Sequence, residues 1–263
     1  MSAPLSHSIP PVIEMRDVAV GSGKQQGVAV AEHVDWTVAA GEFWVVGAPQ
    51  NSGKSDFLMM TGGLSAPTHG EYIFLGERMP IFEESRLGHR LKLGFVFDGG
   101  QLFGQLTVAE NIALPLRFHG HTPVAEIESR VAALLELTRL QPFANTTPGN
   151  LGRSWQQRVG LARALALQPE VLLLDSPLTG LDARHTFWWL DMLGRLSRGH
   201  RILAGRHVTL VATADDLRPW RRHADRVACL TGQRLRAFAD WQAAEDCADA
   251  RVRELVSGET SHD

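Results

Sequence analysis

The chain has 263 residues, 44% of them hydrophobic and 21% charged, with 26 basic against 29 acidic side chains and a formal charge of −3. At roughly 150 residues per domain this is one large domain, or a core with a sizeable insertion, with ample material for a hydrophobic core. The balance excludes a disordered chain, a collagen-like repeat and a generic basic nucleic-acid binder, so no nucleic-acid partner is expected.

Along the chain, Val12 to Val20 alternates loosely before Gly21-Ser22-Gly23 and reads as a strand and turn, and Val34 to Val38 reads as a second strand closed by Gly41. Glu42 to Val46 is short, β-branched and aromatic, as in a strand buried on both faces. It runs directly into a Gly47 to Ser55 loop, and a helical period through Phe57, Leu58 and Met60 follows, ended by Gly62-Gly63. Thr107 to Leu140 is largely helix-like, and Phe143 to Arg153 is a loop. Ser154 and Gln157 have the spacing of a capping box opening a helix that stops near Pro169. Buried strands are expected at Val171 to Leu174, Val208 to Ala212 and, last, Arg226 to Leu230. Apolar runs such as Val171 to Leu174 are far below the roughly 20 residues that cross a bilayer, and Met1 to Pro11 carries no leader-like pattern. Cytoplasmic residence is the expectation. Cys229 and Cys247 are too few for a disulfide framework or metal cluster and read as idle thiols.

A strand, a loop containing Gly-Lys-Ser and a helix is the order in which a phosphate cradle is built. Gly53 lets backbone amides approach phosphate, Lys54 supplies a positive charge for the outer phosphates, and the Ser55 hydroxyl can bind magnesium. The first consensus glycine is replaced by Ala48, and Asn51 stands where Gly is frequent, Asn being one of few residues that tolerate positive φ. Asp175 ends a buried strand about 120 residues later, as a magnesium-coordinating partner should. The blander alternative is a Gly-rich turn that never meets nucleotide.

Further motifs then align in order: Gly94-Phe-Val-Phe97, Leu102-Phe103, Leu106-Thr-Val-x-Glu-Asn111, Gln156-Gln-Arg158-Val-x-Leu-Ala-Arg-Ala164, Leu172-Leu-Leu-Asp175-x-Pro177 and Gly180-Leu-Asp182. Together they resemble an ABC transporter ATP-binding subunit over nearly the whole chain. With the ending Asp249-Ala-Arg251-Val-Arg253, they resemble most the Mla/Mce-type subunits that energise lipid transport. The resemblance implies an α/β fold: a single ABC-type domain over 1–263 with a RecA-like P-loop core and antiparallel β subdomain (12–98 and 156–263). The inserted α-helical subdomain with its signature loop would span 99–155. It implies ATP and Mg2+ as ligands and a head-to-tail dimer, with an identical chain or another ABC ATPase. It also implies an integral-membrane permease partner and a peripheral place on the inner face of the cytoplasmic membrane. Carried over, the nucleotide set is Gly47, Ala48, Pro49, Gln50, Asn51, Ser52, Gly53, Lys54, Ser55, Asp56, Asp98 and Asp175. Ser55, Asp175 and Asp98 fall on the metal, and Arg153, Ser154 and Asp182 on the nucleotide of the partner.

The same carry-over exposes departures. Ser176 occupies the general-base position, Ala214 the switch-histidine position and Asp98 the Q-loop glutamine position, and the signature reads Leu151-Gly-Arg-Ser-Trp155. A hydroxyl with its pKa far above neutrality cannot accept the proton of an attacking water, a loss of about 100- to 10,000-fold. Asp98 could coordinate magnesium, and Arg153 could reach a γ-phosphate across the dimer as a forked donor. Asp56 adds a negative charge near the α-phosphate and should weaken binding. No aromatic residue lies between Arg16 and Asp35, where the family often stacks adenine. Phe187, Trp188 and Trp189 read as packing, Arg218, Arg221 and Arg222 as a solvated face, and His119 and His121 as loop imidazoles. Two functions remain: a transporter ATPase subunit with impaired hydrolysis, or a non-catalytic regulatory or assembly protein on the same fold.

Overall fold

The computed structural model describes residues 11–79, 84–119 and 123–258. Strands β1 (Pro11–Gly21) and β2 (Ala29–Ala39) pair antiparallel. The loose alternation of β1 has a physical cause. Ile13 and Met15 point inward, but a register shift at Asp17, whose φ is +49°, moves the inward face to Val18 and Val20. This is a bulge, which inserts one residue and inverts the parity of all that follow. With β3 (Phe43–Gly47) set aside, β4 (His69–Phe74) and β5 (Glu77–Arg78) complete this sheet in the order β2-β1-β4-β5.

The second sheet holds β3, β6 (Leu93–Val96), β7 (Val171–Leu174), β8 (Thr209–Ala214), β9 (Arg226–Thr231) and β10 (Arg234–Ala237), ordered β10-β9-β3-β8-β7-β6. From β9 to β6 the strands run parallel, and β10 is antiparallel to β9. Every residue of β3, β7 and β8 is buried, as a sheet covered on both faces requires. Phe43 and Val45 join one hydrophobic cluster and Trp44 and Val46 the other, which packs this sheet onto Ile13, Val18 and Trp36 of the first. Beyond the expected strands, β4 and β6 each contain a glycine, β5 is two residues long, and β10 follows the strand taken as last.

The helices are α1 (Lys54–Thr61), α2 (Leu87–Arg90), α3 (Val108–His119), α4 (Val124–Thr138), α5 (Arg153–Leu165), α6 (Ala183–Ser197), α7 (Trp241–Glu245) and α8 (Ala250–Ser257). The helix-like stretch up to Leu140 is thus two helices, α3 and α4, packed on one another and on α5. The capping box expected at Ser154 and Gln157 does not form: Gly152 is the N-cap of α5, and the Gln157 amide is buried with neither polar atom partnered. Position 154 lies inside the first turn, two places after the cap. A reciprocal box forms instead before α3, where Thr107 N donates to Glu110 Oε2 (2.8 Å) and Glu110 N to Thr107 Oγ1 (3.2 Å). Trp188 and Trp189 pack as expected, but Phe187 is 74% exposed. Among the described residues no helix is long and apolar enough to cross a membrane.

Candidate functional site

Parallel strands deliver ligand-binding groups at their carboxyl ends, and four segments singled out in the sequence leave that edge together. The Gly47 to Ser55 loop follows β3, Asp98 follows β6, Asp175 follows β7, and Ala214 closes β8. Beyond the edge lies a cavity of roughly 980 Å3, walled by residues 49–56 of the loop, Asp98, Ser176, Thr179 and Asp215, and by residues of the β1–β2 and β9–β10 turns. Gly47, Ala48, Asp175 and Ala214 lie buried behind this wall.

Two glycines make the loop possible. At Gly47 a Cβ would sit 2.6 Å from Leu217, so the chain passes there only without a side chain. Gly53 caps α1 in the left-handed region (φ +85°), where a Cβ would meet Val30 at 2.4 Å. No side chain caps α1, so the amides of its first turn, which have no carbonyl four residues back, remain available to an anion. The Ser52 hydroxyl is buried without a partner, and Lys54 has no ion pair among the described residues. These groups fit a polyphosphate.

Asp175 is 6% exposed. Its Oδ1 accepts from Thr213 Oγ1 (3.0 Å) and Ser176 Oγ (3.4 Å), but no cation pairs with it among the described residues. A buried carboxylate without a counter-charge is costly, and a divalent ion at Ser55 and Asp175 would supply what is missing. Thr213 also accepts from Ser176 N (3.0 Å), which holds Ser176 at φ +49°. Asp215 faces the cavity, bonded to Gln50 Nε2 (3.2 Å) and Thr179 Oγ1 (3.4 Å). The roles of Thr213 and Asp215 were not read from the sequence, although both flank the Ala214 position that was; nothing in their spacing marks an orienting hydroxyl.

A family model for the ABC transporter matches residues 31–179. The chain is 30% identical over 255 residues, 97% of its length and 91% of the relative's, to the intermembrane phospholipid transport system ATP-binding protein MlaF of Escherichia coli K12. It is 36% identical over 213 residues, 80% of its length and 62% of the relative's, to the methionine import ATP-binding protein MetN of Caulobacter vibrioides. It superposes with a TM-score of 0.76 and 29% identity on the dimeric post-hydrolysis state of the ATP-binding cassette MJ0796 bound to ADP and Pi, over 86% of this chain and 97% of that one. The chain belongs to the ABC transporter family. Its fold is the RecA-like P-loop cassette with a separate antiparallel sheet and inserted helices.

Arg153 Nη2 donates to Asp98 Oδ1, so the two side chains assigned to a partner's γ-phosphate and to the metal are engaged with each other inside one protomer. Each is about half exposed, and the pair must part before either serves the other role. Arg153, Ser154 and Asp182 do not line the cavity. Asp182 caps α6, accepting from His185 N (2.9 Å) and pairing with His185 Nδ1 (3.0 Å), bonds that hold its carboxyl below the ordinary range. Asp56 Oδ1 turns toward the β1–β2 turn, 2.9 Å from where a Cβ on Gly23 would stand. Ala214 presents a buried methyl, and its carbonyl accepts from Ala48 N (2.8 Å), so it fixes the loop and relays no proton.

The remaining expectations divide. Arg218 and Arg221 are neutralised by Asp216 (2.8 Å) and Glu245 (2.7 Å), leaving little of a basic face. His119 is exposed beside Phe118, His121 lies outside the described residues, and no metal cluster forms among the described residues. Cys229 is buried and Cys247 half-buried, both free.

Proposed function

We propose that this chain binds Mg-ATP at the cavity and is the ATP-binding subunit of a lipid-handling transporter, as MlaF is named to be. The observation that carries the reading is the convergence of an unpaired Lys54, an uncapped α1 and a buried, cation-free Asp175 at one sheet edge. Bound magnesium would neutralise Asp175 and the phosphates together. Nucleotide held at one protomer and reached by Arg153, Ser154 and Asp182 of its partner favours a closed head-to-tail dimer, and differential affinity for that state is what moves the equilibrium. The helical subdomain, residues 99–155, hands the closure to an integral-membrane permease through the Asp98 loop, with the subunit peripheral on the inner face of the cytoplasmic membrane.

Hydrolysis resets such a device, and here it is slow, because Ser176 is no base and Ala214 no relay. The same two residues favour the second reading, a non-catalytic regulatory or assembly protein. Turnover separates them. Purified chain hydrolysing ATP above a Lys54→Ala control supports the transporter ATPase, whereas ATP-dependent dimerisation by sedimentation with no hydrolysis above that control supports the regulatory protein. Absence of Mg-ATP binding by calorimetry overturns both.

A further inference from the structure

The cavity wall includes Arg251, from a motif that the proposed function leaves unused, Asp249-Ala-Arg251-Val-Arg253. Helix α8 is docked by the buried Val252, Leu255 and Val256 and tied to the core where Leu217 N donates to Leu255 O (2.9 Å). Asp249 caps the helix by accepting from Arg251 N (3.0 Å), and its carboxylate lies 3.8 Å from Arg236, not on the Arg251 guanidinium. That guanidinium has no ion pair among the described residues and reaches over the β9–β10 turn, 3.3 Å from where a Cβ on Gly232 would stand. It lines the same cavity as the phosphate loop, beside the β9–β10 turn that Gln233 Nε2 ties to Ala29 O (2.9 Å), together with Lys24, Gln25 and the 42%-exposed Val28 of the β1–β2 turn.

A nucleoside triphosphate held by its phosphates at Lys54 would have its base in the same cavity, whose wall includes Arg251. A base is uncharged and buries two flat faces, so it seeks a planar group to lie against. Among the described residues no aromatic side chain lines the cavity. Lys24 is a hydrated point charge on a flexible stem, whereas the Arg guanidinium is planar, weakly hydrated and stacks on rings. We infer that Arg251 is the base-contacting residue of this nucleotide site, its guanidinium lying on one face of the purine with Val28 on the apolar side opposite. The inference rests on the nucleotide-binding reading and adds to it a platform supplied by the C-terminal helix in place of an aromatic residue.

Calorimetry on the full chain with two magnesium ligands, ATP and inorganic tripolyphosphate, tests it. Arg251→Ala is expected to weaken ATP about tenfold, the worth of one stacking contact, and leave tripolyphosphate unchanged. Arg251→Trp restores ATP affinity because the plane returns without the charge, and Arg251→Lys does not because the charge returns without the plane. Equal weakening of both ligands by Arg251→Ala, rescue by Lys and not by Trp, or unchanged ATP affinity overturns the inference. If the unmodified chain binds neither ligand, the nucleotide reading itself falls first; tripolyphosphate binding without a gain from the base leaves that reading standing and removes Arg251 from it.

Discussion

At position 176 the proposed slow turnover has its most direct test. Ser176 is 5% exposed, pinned through its amide to Thr213, and its hydroxyl reaches only Asp175 and Thr213. Ser176→Glu places a carboxylate beside the cavity and is expected to raise steady-state ATP hydrolysis at least tenfold over the parent, read against Lys54→Ala as background. No gain assigns the limit to Ala214 or to the Asp98–Arg153 pair. Lys54, Gly53 and Asp175 were legible from residue type and spacing, because phosphate and magnesium chemistry admits few substitutes. The Asp98–Arg153 pair was not, since 55 residues part them and only the fold brings them together.

At the scale of elements, α5 and α6 are clamped by one buried arginine. The Arg158 guanidinium carbon lies 4.6 Å from the Trp155 ring centroid and 3.7 Å from that of Trp188, and Trp155 meets His185 edge-on at 5.7 Å. Burial, then Arg139 and Arg184, push Arg158 down to about 10, still charged at neutral pH. The cluster joins the start of α5, at Arg153, to the start of α6, capped by Asp182, two residues proposed to reach the partner's nucleotide. Arg158→Ala is expected to destabilise by about 3 kcal/mol in urea unfolding, from two desolvated ring contacts and the cavity left behind. Arg158→Met, which fills the volume without a charge to bury, should recover most of it. A cost below about 1 kcal/mol for Ala would show that the rings do not hold the cation.

For the whole molecule, alkaline stability follows from two buried protons. Burial pushes the Cys229 thiol up to about 12 and raises the Tyr72 hydroxyl, which donates to Thr61 O (2.6 Å). A raised folded pKa means that the unfolded chain releases the proton first. The stabilisation is therefore full below about pH 9 and falls as pH climbs from there toward 12, by about 1.4 kcal/mol per unit for each group fully titrating only in the unfolded state. The urea midpoint should drop between pH 8.5 and 10.5, and less steeply in Cys229→Ala. A midpoint flat across that range would mean the thiol is not shielded as the fold places it.

What the amino-acid order determined alone was local or compositional: the buried strands expected at Val171 to Leu174 and Val208 to Ala212, the second of which runs from Thr209 to Ala214, the loop after β3, and the replacements at Ser176 and Ala214. Each is decided within a few residues, by β-branched apolar runs or by a side chain's own chemistry. The tertiary structure alone decided what depends on distant partners. It shifted the parity of β1 at Asp17, exposed Phe187 and paired Asp98 with Arg153. It also brought Arg251, from the last helix, to the wall shared with Lys24. Chain closure and packing set those contacts, and no periodicity along the sequence encodes them.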